Sequence, residues 1–204
     1  MYFSNDFNSK LTNMKTSLIL LLNFSLIIIF YSCTPQNPTP NPTPTTLTIG
    51  QSYQGGKMAY ILQPGDPGYD ANVQHGLIAA PSDQSTGAQW GCYGTEISGA
   101  DLAAIGTGNQ NTIDIMNGCS EAGIAARLCG DLVLGGYSDW YLPSVDELNK
   151  LYLNRVAIGG FAGSYYWSST ESNLNDAWRQ HFNDGFQVIN YKLNALNVRA
   201  VRAF

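Results

Sequence analysis

A clearly encoded helix start in the last third of the chain constrains its fold more than any other feature. Ser144 and Glu147 have the spacing of a capping box, in which each side chain accepts the other residue's backbone amide. Pro143 has no amide proton and biases Leu142 towards an extended conformation. Apolar side chains then recur on one helical face, at Val145, Leu148, Leu151 and Tyr152. We therefore predict an extended segment that leads into an amphipathic helix.

Short apolar runs on both sides of this helix predict strands separated by turns. The predicted strands cover residues 55–62, 75–80, 165–169, 178–182, 186–191 and 198–204. An earlier helical stretch opens at Asn111, breaks at residues 117–118 and restarts at Ser120. Asn183-Asp184-Gly185 is a strong hairpin signal. We expect a mixed α+β domain with Trp140, Tyr166, Trp167 and Trp178 in its core.

Three motifs in a fixed order carry a resemblance to a known family. They are Gly-Tyr-Ser-Asp-Trp-Tyr-Leu-Pro-Ser-x-x-Glu-Leu at 136–148, Tyr-Trp-Ser-Ser-Thr-Glu at 166–171 and Val-Arg-Ala-Val-Arg at 198–202. In this order they resemble the bacterial domain family named after the C-terminal domain of the Legionella collagen-like adhesin. That family is similar in turn to C-type-lectin-like and formylglycine-generating-enzyme-like folds. The resemblance implies a C-type-lectin-like domain with two helices and antiparallel short strands.

The N-terminal residues 1–33 have the features of a lipoprotein signal peptide. We expect translation to start at Met14, because a charged start there is followed by a nearly unbroken apolar run over residues 18–30. The run is short for a membrane span. It ends at Cys33, which follows a small residue as lipoprotein processing requires. We therefore predict that Cys33 is lipidated; an uncleaved N-terminal anchor is the alternative.

A Pro/Thr-rich linker, residues 34–46, separates this signal from the rest of the chain. Alternating prolines favour polyproline II and exclude helix and sheet, so the linker can hold a head roughly 40 Å from the membrane. The head, residues 47–204, has the length of one domain. The net charge of the chain is −5, which excludes the basic surface that nucleic-acid binding requires.

Cysteines other than Cys33 are expected to form a disulfide, because an extracellular compartment is oxidising. Cys119 and Cys129 lie on either side of the predicted helix restart. They can bridge only if the helix breaks between them, because one continuous helix would hold them too far apart. We predict a Cys119–Cys129 disulfide, with Cys92 bonded to one of the two as the alternative.

Residue patterns for catalysis and metal binding are weak. The two histidines, His75 and His181, have no nucleophile motif beside them, and no Cys-x-x-Cys is present. The Asp146-Glu147 pair belongs to the first turn of a helix, where it favours the helix dipole. Formylglycine-generating relatives need reactive cysteines late in the domain, and none follows Cys129. We therefore expect no enzymatic activity, no metal and no cofactor.

The late strands instead carry residue types typical of a binding face. Aromatic side chains from Tyr165 onward alternate with asparagines, and this combination supplies rigid contact area and adaptable hydrogen bonds. The candidate ligand-binding residues are Asn173, Asn175, Arg179, His181, Asn183, Asp184, Phe186, Asn190, Tyr191 and Asn194. The asparagines are also ordinary turn residues. The resemblance also implies a display role, because some domains of this group are diversified by retroelements that rewrite adenine-containing codons. Asparagine is a residue that such codons tend to encode.

These patterns predict a bacterial lipoprotein, anchored by its lipid at the outer membrane or cell surface, with an adhesin-like, non-catalytic head. The predicted partners are an extracellular glycan or protein and the membrane, with no nucleic acid. The namesake adhesin implies a host glycosaminoglycan, whereas the acidic composition disfavours a sulfated polymer. A relative of formylglycine-generating enzymes and a purely structural envelope protein are the alternatives.

Overall fold

The computed structural model describes residues 46–204. The predicted signal peptide, Cys33 and almost all of the linker lie outside the described residues. The described residues belong to one compact unit. Two hydrophobic clusters lie within the described residues. No helix in this range has the length and apolar character needed to cross a bilayer.

Nine strands and four helices make up the described chain. The strands are β1 (Ser52–Tyr53), β2 (Gly56–Ile61), β3 (Gly76–Ala79), β4 (Ser85–Ala88), β5 (Tyr165–Glu171), β6 (Asp176–His181), β7 (Gln187–Tyr191), β8 (Leu196–Val198) and β9 (Val201–Ala203). The helices are α1 (Gly108–Gly118), α2 (Ala125–Gly130), α3 (Val145–Leu153) and α4 (Arg155–Ile158). The predicted mixed α+β class is confirmed.

The strands form two sheets. The first has the order β1-β2-β3-β9 and is antiparallel throughout. The second has the order β4-β8-β5-β6-β7 and contains one parallel pair, β5 with β8, among antiparallel neighbours. The single strand predicted for residues 198–204 is wrong, because the chain leaves the second sheet after Val198 and enters the first at Val201.

The predicted start of α3 is confirmed atom by atom. The Ser144 hydroxyl accepts the Glu147 amide at 3.3 Å, and the Glu147 carboxylate accepts the Ser144 amide at 2.8 Å. The same carboxylate also accepts the Gly106 amide at 2.9 Å. This brings the start of α1 so close that a Cβ on Gly108 would lie 2.2 Å from Glu147 Oε2. The capping glutamate therefore joins two helix starts.

Two hydrophobic clusters stabilise the domain. The first places the buried indoles of Trp90, Trp140 and Trp167 among the apolar side chains of α1 and α2. The second packs α3 against Tyr166 of the second sheet and against Phe182, which follows β6. Trp90, which lies outside the predicted strands and helices, is also fully buried. Trp178, predicted as a core residue, is only half-buried.

The disulfide joins Cys92 to Cys119, so the predicted Cys119–Cys129 pairing is wrong. The helix does break as that pairing required, because α1 ends at Gly118 and α2 begins at Ala125. However, Cys129 lies on the buried face of α2 as a free thiol, and burial raises its pKa. Cys92 instead approaches Cys119 to a Cα–Cα distance of 5.8 Å from a turn that follows Gly91.

Candidate ligand-binding face

The ten predicted ligand-binding residues lie in and around the hairpin of β6 and β7, and none is buried. The exposed ones are Asn173, Asn183, Asp184, Phe186 and Tyr191. The half-buried ones are Asn175, Arg179, His181, Asn190 and Asn194. The late hairpin therefore presents these side chains at the surface.

The ten residues do not form one site. Strand pairing places Arg179 opposite Val188, and Tyr165 of β5 opposite His181. Side chains alternate between the two faces of a sheet. On this basis one face, which we call the hairpin face, carries Tyr165, Arg179, His181, Phe186, Val188 and Asn190. The opposite face of the hairpin is covered by α3, against which Phe182 packs.

Several of the predicted asparagines are used for local turns. Asn173 Oδ1 accepts the amides of Asn175 and Asp176 at 2.8 and 3.0 Å. The Asn183 amide group donates to the carbonyl of Gly163 at 3.1 Å. These contacts are ordinary turn chemistry, so the two side chains are committed to the fold. Of the other candidates outside the hairpin face, Asn175 precedes β6 and Asp184 lies in the turn between β6 and β7, whereas Tyr191 ends β7 and Asn194 follows it.

Arg179 is the most unusual side chain of the hairpin face. Its guanidinium carbon lies 3.7 Å from the centroid of the Tyr165 ring. Its Nε is buried and has no hydrogen-bond partner within residues 46–204. Desolvation by burial lowers the pKa of Arg179 from its ordinary value. A buried, unpaired N–H of this kind costs about 1–3 kcal/mol of stability.

The other four arginines of the described chain have partners. Arg199 and Arg202 form ion pairs with Asp83 and Asp139 at 2.7 Å. Arg127 and Arg155 donate to backbone carbonyls. A structural role accounts for each of these, whereas the guanidinium of Arg179 has only ring contacts.

His181 and Asp184 shape the turn end of the face. The His181 ring stacks on Tyr165, with centroids 4.5 Å apart. Its Nδ1 lies 2.9 Å from Asp184 Oδ1. A hydrogen bond from the Phe186 amide and the one from His181 hold the pKa of Asp184 below its usual value. This arrangement fixes the Tyr165 ring between polar groups, so the ring is positioned before any ligand arrives.

One cavity lies elsewhere in the domain and contains none of the predicted ligand-binding residues. It has a volume of about 360 Å³ and is lined by Leu62, Pro67, Gly68, His75, Gly76, Leu77, Ile105, Gly106, Asn109, Asp139, Tyr141, Ala203 and Phe204. Behind it, the Tyr141 hydroxyl donates to Glu147 at 3.2 Å. Burial raises the pKa of both groups. Because both oxygens of Glu147 already accept backbone amides, this carboxylate serves the helix starts.

One group of potential metal ligands occurs in the described range. Cys92, Cys119 and Glu121 bring their ligand atoms within 4.8 Å of one another. The two sulfur atoms are bonded to each other, and the Glu121 carboxylate accepts the Cys92 amide at 3.1 Å. In the disulfide form this group therefore holds no thiolate for a metal.

The structure thus shows an α+β domain with an exposed aromatic and polar hairpin face. The family model described as the Lcl C-terminal domain matches residues 80–202, which is more than half of the chain. The chain belongs to this family, as the three motifs predicted. No curated protein matches the chain. The family match includes the disulfide, all four helices and the whole hairpin, and it indicates an adhesin-like surface domain.

Proposed function

We propose that this chain is a lipid-anchored surface lipoprotein whose C-type-lectin-like head binds a glycan, without catalysis, at the hairpin face. The observation that carries the proposal is the half-buried Arg179 side chain, which lies against the ring of Tyr165 and whose Nε has no hydrogen-bond partner within residues 46–204. A sugar ring can stack on the tyrosine while its hydroxyl or carboxylate oxygens accept from the guanidinium. His181 and Asn190 supply further polar contacts on the same face.

The cysteines favour binding over an oxidative activity like that of the formylglycine-generating enzymes. Within residues 46–204, Cys92 and Cys119 are joined in a disulfide and Cys129 is fully buried. A reactive cysteine needs an accessible thiolate, which a raised pKa disfavours.

The test is a glycan array probed with residues 47–204, followed by calorimetry on any glycan that binds. We expect Arg179→Ala to weaken binding by about 10- to 100-fold, because a charge-assisted hydrogen bond is lost. Tyr165→Ala should weaken it to a similar extent. Arg155→Ala is the matched control, because Arg155 also stacks on a tyrosine, Tyr152, at 4.0 Å but belongs to α4.

Two outcomes would contradict the proposal. Glycan binding that survives both hairpin-face variants would place the site elsewhere, for example in the cavity beside Tyr141. An array without signal, together with a protein ligand that both variants release, would keep the face and replace the glycan by a protein.

A further inference from the structure

A carboxylate lies beside the disulfide. Within residues 46–204, the ligand atoms of Cys92, Cys119 and Glu121 all lie within 4.8 Å of one another. Cys119 is fully buried, Cys92 is half-buried and Glu121 is exposed. This group of two sulfur atoms and one carboxylate therefore extends from the core to the surface.

The side chain of Arg127 holds the segment that carries two of these residues. Its Nη2 donates to the carbonyls of Met116 and Cys119, both at 2.7 Å. Its Nε donates to the carbonyl of Glu121 at 3.1 Å. The Cys119 amide in turn donates to the Ile115 carbonyl at 2.8 Å. None of these bonds involves a sulfur atom, so reduction of the disulfide removes none of them.

Cys92 is also held by bonds that do not involve its sulfur atom. Its amide donates to Glu121 Oε2 at 3.1 Å, which places the carboxylate next to the cysteine. Its carbonyl accepts the Thr95 amide at 3.1 Å, and the Gly94 amide donates to the Leu174 carbonyl at 2.9 Å. The turn around Cys92 therefore has its own backbone support, and the three residues stay close together in the reduced form.

We propose that Cys92, Cys119 and Glu121 bind a divalent metal ion of the zinc class when the disulfide is reduced. Two thiolates and one carboxylate are ligands that Zn²⁺ binds in tetrahedral geometry. Mg²⁺ and Ca²⁺ prefer oxygen ligands and are disfavoured by the two sulfur atoms. Three protein ligands leave a fourth position for water, which can enter beside the exposed Glu121.

The spacing of the ligand atoms suits this metal. Zn–S bonds of about 2.3 Å at tetrahedral angles place two sulfur atoms roughly 3.8 Å apart. The Cα atoms of Cys92 and Cys119 are 5.8 Å apart, so rotation of the two side chains can separate the sulfur atoms once the S–S bond is broken. The Glu121 carboxylate already lies within 4.8 Å of both. The site therefore forms by side-chain rotation around a fixed backbone.

The disulfide and the metal exclude each other, so the S–S bond controls the site. A protein or small-molecule dithiol can attack the Cys92 sulfur, which is the more exposed of the two; the S–S bond breaks and Cys119 leaves as a thiolate. The second thiol of the reductant then releases Cys92, and the reductant becomes a disulfide while both cysteines become thiols. Zn²⁺ displaces the two thiol protons into water. The same two thiols are present before the disulfide first forms.

This proposal does not depend on glycan binding, because no residue of the hairpin face contributes a ligand. Cobalt binding to the full chain tests it. The chain carries Cys33→Ser, so that no N-terminal thiol contributes, and is reduced with a phosphine and desalted under argon. Co²⁺ should then give sulfur-to-cobalt charge-transfer bands, and Zn²⁺ should bleach them. The oxidised chain should give no such bands.

Three variants of this chain identify the ligands. Cys119→Ser should abolish the charge-transfer bands. Glu121→Gln keeps an acceptor for the Cys92 amide but loses the carboxylate, and it should weaken zinc binding by at least about 10-fold in competition with a chromophoric chelator. Cys129→Ser is the matched control, because that buried thiol is outside the group and its loss should leave the spectrum unchanged.

Several results would overturn the proposal. They are a reduced chain without charge-transfer bands, bands that survive Cys119→Ser or disappear in Cys129→Ser, and zinc binding that Glu121→Gln leaves unchanged. Near-UV circular dichroism of the reduced, metal-free chain should match that of the oxidised chain. Loss of this signal would also overturn the proposal, because the backbone would then not hold the ligands in place.

Discussion

Replacing Lys192 by methionine should strongly destabilise the domain. Lys192 is fully buried, and its ammonium group forms an ion pair with Glu171. The ammonium also donates to the Thr95 carbonyl at 2.8 Å and lies 4.6 Å from the centroid of a Trp90 ring. Glu171 in turn accepts the Ile97 amide at 2.9 and 3.0 Å. The pair therefore ties the segment around residues 92–97 to the second sheet.

The expected loss of stability follows from the Glu171 carboxylate, which remains buried in the variant. Glu171 has a side chain that is 3% exposed, and without Lys192 its charge is buried and uncompensated. Breaking such a pair costs about 3–5 kcal/mol, a large part of the 5–15 kcal/mol that stabilises a typical domain. For a domain of this size we expect the Tm to fall by roughly 6–20 °C.

The loss should depend on pH with a definite sign. Burial raises the pKa of Glu171, and Lys192 opposes the rise, so the variant should have a still higher pKa. An acid whose pKa is raised by folding lowers stability once the pH exceeds its unfolded pKa, about 4.3. The deficit of the variant should therefore be largest near neutral pH and shrink as the pH falls towards 4.

Urea denaturation followed by tryptophan fluorescence, at pH 7 and pH 4.5, measures both effects. Lys57→Met is the matched control, because within residues 46–204 that ammonium group bonds only to the exposed Ser52 hydroxyl. Lys192→Met combined with Glu171→Gln should recover most of the loss, because no charge then remains buried. A single variant within about 1 kcal/mol of wild type at pH 7, or a deficit that grows in acid, would refute the reasoning.

Three further predictions concern other contacts. Cys92→Ser should lower the free energy of unfolding by about 3–4 kcal/mol in denaturant titrations, because the disulfide closes a loop with a sequence separation of 27. Cys129→Ser should leave the Cys92–Cys119 disulfide peptide unchanged in peptide mapping by mass spectrometry. Asp139→Asn should cost at most about 1 kcal/mol at pH 7, since its carboxylate is 56% exposed. Arg202 holds the Asp139 pKa below its usual value, so that contribution should disappear as the pH falls below about 3.9 in a pH series of the same titration. Ser144→Ala should lower stability by about 1 kcal/mol by calorimetry, as expected for loss of a helix cap, and an unchanged Tm would contradict the capping role.

Features that depend on local chemistry could be predicted from the sequence. The start of α3 was predicted because Ser144 and Glu147 are three residues apart and bond to each other's backbone amides. The β6–β7 hairpin was predicted because Asn183-Asp184-Gly185 is itself the turn. The class of the fold and the family followed from such local motifs in a fixed order.

Features that depend on distant contacts could not be predicted. Cys92 is 27 residues from its partner, and the turn that carries it is positioned partly by Lys192, which is remote in sequence. The cavity is lined by several separate segments, so no single stretch of sequence reveals it. The state of Arg179 depends on the neighbouring strand that carries Tyr165, and a strand pattern does not show which N–H remains unpaired.

The short connection between β8 and β9 affects when the domain can become native. Strand β8 is the only partner of β4 and separates it from β5, while β9 completes the first sheet beside β3. Between them, the buried Arg199 reaches Asp83 and the Ala80 carbonyl, more than 110 positions earlier in the chain. A chain emerging N-terminus first would keep the edges of β3 and β4 open until residues 196–203 arrive. Folding should therefore be slow and should wait for these residues, and removal of residues 196–204 should leave both sheets unfinished.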